Sequence, residues 1–188
     1  MAKKKALTEV YDGLEQARIT SDILARAIKD VKSMGFQAQE QLIDDIHREQ
    51  PNMLASVLAL QSFGVPFPDM DIALNILMVC FTAMKYSGDK WPLLTEDEQR
   101  RQMTRYRAQM NFTSDLAFEQ KIHATAQYVM SHHEPVLLAY VTAEMSSWLT
   151  YKPLSEEGRF VILCTGNFVN CIAALAHTDN DSSANYAD

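Results

Sequence analysis

The chain has 188 residues, 47% of them hydrophobic and 22% charged, and a net charge of −7. That is ordinary globular composition, and the length suits one domain with a substantial core. An acidic surface of this size repels a phosphate backbone, which makes nucleic-acid binding an unfavoured function.

Only six glycines and six prolines occur, and most fall between apolar runs, so long regular elements are expected. The basic start, from Met1 to Lys5, is followed by no apolar stretch, so it does not read as a secretory signal. Helical spacing dominates, and no stretch alternates with period two over a useful length. Leu7, Val10, Leu14, Ala17, Ser21, Leu24, Ile28 and Val31 predict a long first helix from Leu7 to Met34, stopped by Gly35. Ile19 and Ile23 lie off this seam, so a second face wants cover. That pattern leads us to expect self-association, with a twofold homodimer as the commonest closed solution.

A more polar helix is expected over 37–49, and Pro51 opens a third. The run from Gly64 to Pro68 is a break, after which Asp69 is expected to cap an almost wholly apolar helix over 70–86. Thr95-Glu96-Asp97-Glu98 reads as a capping box opening a charged helix to about Met110. Further helices are expected over 114–130, from Pro135 to about Leu149, and from Ser155 to Ala176 or His177. The polar end, 178–188, is expected to be disordered. The fold class is therefore all-α, a bundle of about seven to eight helices within 1–177. The longest nearly apolar run, Ile72 to Met84, is too short for a bilayer, which needs about 20 residues. Cys80, Cys164 and Cys171 sit inside apolar helical runs and form no Cys-x-x-Cys pair. They read as small buried hydrophobes in a reducing, cytoplasmic setting.

Sliding the chain against itself by 84 positions aligns two segments without a gap. Pro51 falls on Pro135, Ser62 on Ser146 and Cys80 on Cys164, and the two most apolar helices coincide. This predicts two repeated helical units, 37–84 and 121–168, each needing the other to bury its apolar face. The preceding Gln50-Pro51 and Glu134-Pro135 steps match no motif with known chemistry.

Several polar residues interrupt apolar stripes. Glu144 follows Leu137 and Val141, Asn167 and Asn170 follow Leu163, and Asn75 breaks the most apolar helix. A desolvated carboxylate is a common general acid, and convergent amides make a binding cleft. The simpler reading is that Glu144 reaches solvent or pairs with Arg159. Glu40, Asp44 and His47 share one helical face, and Glu119 and His123 stand four apart, with His132, His133 and Glu134 beyond. A carboxylate-bridged metal bundle needs two Glu-x-x-His pairs, and a single Asp-x-x-His does not supply them, so no metal or other cofactor is expected. Arg100, Arg101, Arg105, Tyr106 and Arg107 interleave bases with an aromatic, but acids at the start and bases further on suit a solvated helix in its own dipole. There is no phosphate-binding Gly-rich loop and no nucleophile elbow. The function expected is a non-catalytic helical interaction or regulatory protein. The alternative is a small-molecule-binding protein or enzyme with a cleft between the repeats, built from Glu144, Asn167, Asn170 and Asn75. A metal-binding bundle stands third.

Overall fold

The structure is a computed structural model that describes residues 17–114 and 116–183. Among them are eight α-helices and no strand. In chain order they are α1 (Ser21–Ser33), α2 (Phe36–Glu49), α3 (Pro51–Ala59), α4 (Phe67–Tyr86), α5 (Glu96–Ser114), α6 (Phe118–Ser131), α7 (Pro135–Tyr151) and α8 (Glu156–Ser183). A 3₁₀ turn, Leu60–Phe63, continues α3. Gly64 closes it in the left-handed region at φ 78°, which a side chain would resist.

α4 is apolar around most of its circumference, and Ile76 to Met84 is an unbroken buried run. It is accordingly covered on several sides, chiefly by α1 and α8, with α3 and α2 alongside. α8 is the other central helix and packs on α5, α4 and α7. The closest approach is at Gly166, where a Cβ would overlap the phenol of Tyr106 on α5. α4 and residues 156–175 of α8 are each long and apolar enough to cross a bilayer, although most of both is buried inside the protein. The expectation from Ile72–Met84 alone understated α4, because its flanking residues extend the apolar stretch.

Part of the packing order recurs. α1 lies on α4 as α5 lies on α8, and α3 follows α2 as α7 follows α6. α4 and α8 meet at the centre, and the buried hydrophobic side chains form one contiguous cluster.

Two crossed contacts tie the first half of the chain, α1–α4, to the second, α5–α8. Gln50 and Glu134 precede Pro51 and Pro135 with nearly the same backbone angles, φ −139° and ψ 60° against φ −124° and ψ 65°. Both side chains are buried. Gln50 Oε1 accepts from the Leu94 amide at 3.0 Å, and its Nε2 donates to the Pro92 carbonyl at 2.8 Å. Glu134 accepts from the Arg18 and Ile19 amides at 3.2 Å each. Leu94 stands just before α5 and Ile19 just before α1, each followed by a threonine. The Thr95 hydroxyl accepts from Glu98 N–H at 3.2 Å and the Thr20 hydroxyl from Ile23 N–H at 3.4 Å. Each half thus grips the entry to the other.

This arrangement corrects several expected boundaries. Among the described residues the first helix begins at Ser21, because Glu134 holds the Arg18 and Ile19 amides and Thr20 is an extended cap. Leu7, Val10 and Leu14 lie outside the described residues. Asp69 does not cap α4. The helix opens at Phe67, and the buried Asp69 carboxylate pairs with Lys152 after α7. α8 continues to Ser183, past the expected stop near His177, while 184–188 lie outside the described residues.

Candidate functional site

Two clefts open where the third helix of one half meets helices of the other. The first lies between α3 with its 3₁₀ turn, α5 and α8, and has a volume of about 340 Å³. Leu60, Phe63, Met103, Phe160 and Leu163 make it apolar, and Arg107 brings a guanidinium to its edge. The Phe63 and Phe160 rings stack with centroids 4.7 Å apart. A neighbouring lobe of about 370 Å³ shares Ser56, Met103 and Asn167 with it and extends to Asn52, Gln99 and Arg100.

Asn167 is the singular polar group of this wall. Its side chain is buried at 2% exposure, and Nδ2 donates to the Gln99 carbonyl at 3.3 Å. A carbonyl can only accept, so this contact fixes which end of the amide faces Gln99. The other end, Oδ1, is buried with no partner among the described residues. An unsatisfied buried acceptor costs about 1–3 kcal/mol. Cys164 also lines the cleft, but burial pushes its thiol up, which keeps it a neutral side chain.

The second cleft lies between α1, α2, α4 and α7, at about 350 Å³. Here Ile72, Ile76 and Val79 form an apolar floor, and Lys32, Gln39, Asn75, Tyr140 and Glu144 bring polar groups. Part of the lining of the two clefts corresponds. Ser56 and Tyr140, Leu60 and Glu144, Ile76 and Phe160, and Val79 and Leu163 stand 84 apart, and each pair supplies one residue to each cleft. On the first helices the separation is 75, set by Thr20 and Thr95, and it relates Lys32 to Arg107.

Of the residues singled out from the sequence, Asn75 and Glu144 come together in the second cleft, and Asn167 lies in the first. Asn170 enters neither. Its Oδ1 accepts from the Tyr128 hydroxyl at 2.7 Å and lies 3.1 Å from His132 Nε2. His132 Nδ1 accepts from the Glu134 amide at 3.0 Å, which puts the ring proton on Nε2, donating to Asn170. Burial lowers the His132 pKa, consistent with a neutral ring. Asn170 therefore braces the loop that positions Glu134. Ile19 and Ile23, expected at a self-association face, point into the chain's own core. Ile19 is wholly buried and Ile23 is partly buried against it. The physical reason is that Ile19 lies in the extended entry gripped by Glu134 rather than on a helix surface. Among the described residues, no three His, Cys, Asp or Glu side chains gather as metal donors.

Sequence reasoning missed Arg107, which it grouped with a solvated charged face. Arg100 and Arg101 do pair with Asp97 and Glu98 on that face, at 3.3 and 3.2 Å. It also passed over Gln50 and Glu134. Their common placement before aligned prolines was the available signal. Compared with protein-family models, curated proteins and solved structures, the chain matches none.

Proposed function

We propose that this chain is a binding protein for a small amphipathic anion, held in the cleft between α3, α5 and α8. The observation that carries this reading is the buried Asn167 Oδ1, without a partner among the described residues, in a largely apolar wall. A ligand with an aromatic or acyl body would cover Leu60, Met103 and Leu163. An N–H or O–H on that body would satisfy Asn167, and its anionic group would lie toward Arg107. Apolar walls with a few placed polar groups are the usual make-up of such pockets. Binding suits the site better than catalysis, because an amide, a guanidinium and a neutral thiol do not shuttle protons near neutral pH. A regulatory or interaction role would follow if the ligand biased how the two halves close on each other.

The probe that tests this is anilinonaphthalenesulfonate, which carries an aromatic body, an N–H donor and an anion. Saturable 1:1 binding to the native chain, weakened about tenfold or more by Asn167→Leu and by Arg107→Ala, supports the reading. No saturable binding, or binding untouched by both substitutions, removes it.

We further propose that the two halves descend from one duplicated unit of four helices. The crossed Gln50 and Glu134 contacts and the matched cleft positions support this. A superposition of 37–84 on 121–168 that brings Cys80 onto Cys164 is the check, and unrelated places for the two cysteines would dismiss it.

A further inference from the structure

The second cleft gathers polar groups that find no partners among the described residues. Lys32, Gln39, Asn75, Tyr140 and Glu144 come from four helices and line one cavity. None of the five side chains makes a hydrogen bond or ion pair with another described residue. Lys32 and Asn75 are exposed, whereas Gln39, Tyr140 and Glu144 are half-buried, and several comparable groups elsewhere in this protein are paired. Lys85 meets Glu49 at 3.0 Å, Arg48 meets Asp45 at 2.6 Å, and the Tyr86 hydroxyl meets Asp30 at 2.7 Å. Glu144 and Tyr140 lie one helical turn apart on α7, both partly buried. The Tyr140 phenol is pushed up by burial, with smaller contributions from Cys80 and Glu144.

The donor and acceptor inventory limits what could fill the space. One ammonium, one carboxylate, two amides and a phenol together favour a ligand that carries both an anion and a cation. The floor of Ile72, Ile76 and Val79 favours an apolar group between them. We propose that this cleft is a second ligand site, independent of the first, and that it takes a free α-amino acid with an apolar side chain. The ligand carboxylate lies toward Lys32, with the Asn75 and Gln39 amides donating. Its ammonium lies toward Glu144 and the Tyr140 hydroxyl, and its side chain covers Ile76 and Val79. The matched positions of the first cleft strengthen the case, since the same place in the fold is hollow twice and differs in chemistry at Leu60 and Glu144.

Isothermal titration of the intact chain with L-leucine and L-phenylalanine tests this, with leucinamide and N-acetyl-leucine as controls that each lack one charge. Saturable binding of at least one amino acid is expected, about tenfold or more tighter than either control. Glu144→Gln should weaken it by about tenfold or more, while Asn167→Leu should leave it within about twofold. No saturable heat with either amino acid up to about 10 mM, controls that bind equally well, or an unaffected Glu144→Gln each overturn the proposal. Binding of anilinonaphthalenesulfonate by the Glu144→Gln chain reports separately on the first cleft, so failure of one site is distinguishable from failure of the other.

Discussion

The two clefts occupy corresponding places and have opposite chemistry. Where the first has Leu60, Ser56 and Phe160, the second has Glu144, Tyr140 and Ile76. Both keep a cation from the first helix of the half, Arg107 in one and Lys32 in the other. Asn167 has Ala83 at the matching position, so the buried unpartnered acceptor belongs to the first cleft alone. The backbone decides where a hollow forms, and a handful of side chains decide what it can hold. A similar contrast separates the two crossed contacts. Gln50 must both donate to a carbonyl and accept from an amide, which only an amide side chain does. Glu134 must accept from two amides, which suits a carboxylate. The two side chains are nearly the same shape and are not interchangeable.

Breaking those contacts should have the largest effect. Glu134→Ala strands two amides in the interior, and we expect a loss of about 3–5 kcal/mol by denaturant titration. Gln50→Ala strands one amide and one carbonyl, with an expected loss of about 2–4 kcal/mol. A negligible change in either would mean that the halves are held by apolar packing alone.

The second effect is confined to Glu134 and depends on pH. Burial pushes its carboxyl up to about 7, against the opposing pull of the Ile19 and Arg18 amides and the Arg18 charge, with Asp89 adding to the rise. A folded-state value above the usual 4.5 means the stabilising contribution is complete below about 4.5 and is lost as pH rises through about 7. Stability should fall by roughly 2 kcal/mol across that window. Glu134→Gln should flatten this slope, and Gln50→Ala should not. A slope unchanged in Glu134→Gln assigns it to another group.

The smallest effect is the most discriminating. Asn167→Leu removes an orphaned acceptor along with a single hydrogen bond, so stability should stay level or rise by up to about 1 kcal/mol. Thermal unfolding that falls well below the parent would show Asn167 to be structural, and the ligand reading of the first cleft would lose its support.

Much of the fold was legible because it rests on local signals. Pro51, Pro135, Gly64 and the Thr95 box mark element ends through backbone chemistry that needs no tertiary context. Periodicity located α4 and α8 because their apolar residues continue around the helix. The start of α1 was not legible. Leu7 to Val31 keep a helical spacing, but the helix opens at Ser21 because a carboxylate more than a hundred residues away binds the amides before it. The sites were legible in parts. Asn75, Glu144 and Asn167 stood out as polar residues on apolar stripes, but nothing local assigns them to two clefts or removes Asn170 to a loop brace. Arg107 was hidden because it is exposed like Arg100 and Arg101, about two turns before it on the same helix, and only the fold places it beside a cleft.

The Glu134 contact also bears on how the chain is made. Residues 18 and 19 leave the ribosome well before residue 134, and their amides find this acceptor only once it has followed, 115 positions after Ile19. The Gln50 contact closes a much shorter loop, 44 positions to Leu94. The carboxylate grip on the amino-terminal entry is therefore the later of the two to become available during synthesis. Until then Ile19 lacks part of its cover, and a nascent chain stalled before α7 would present an apolar segment to chaperones.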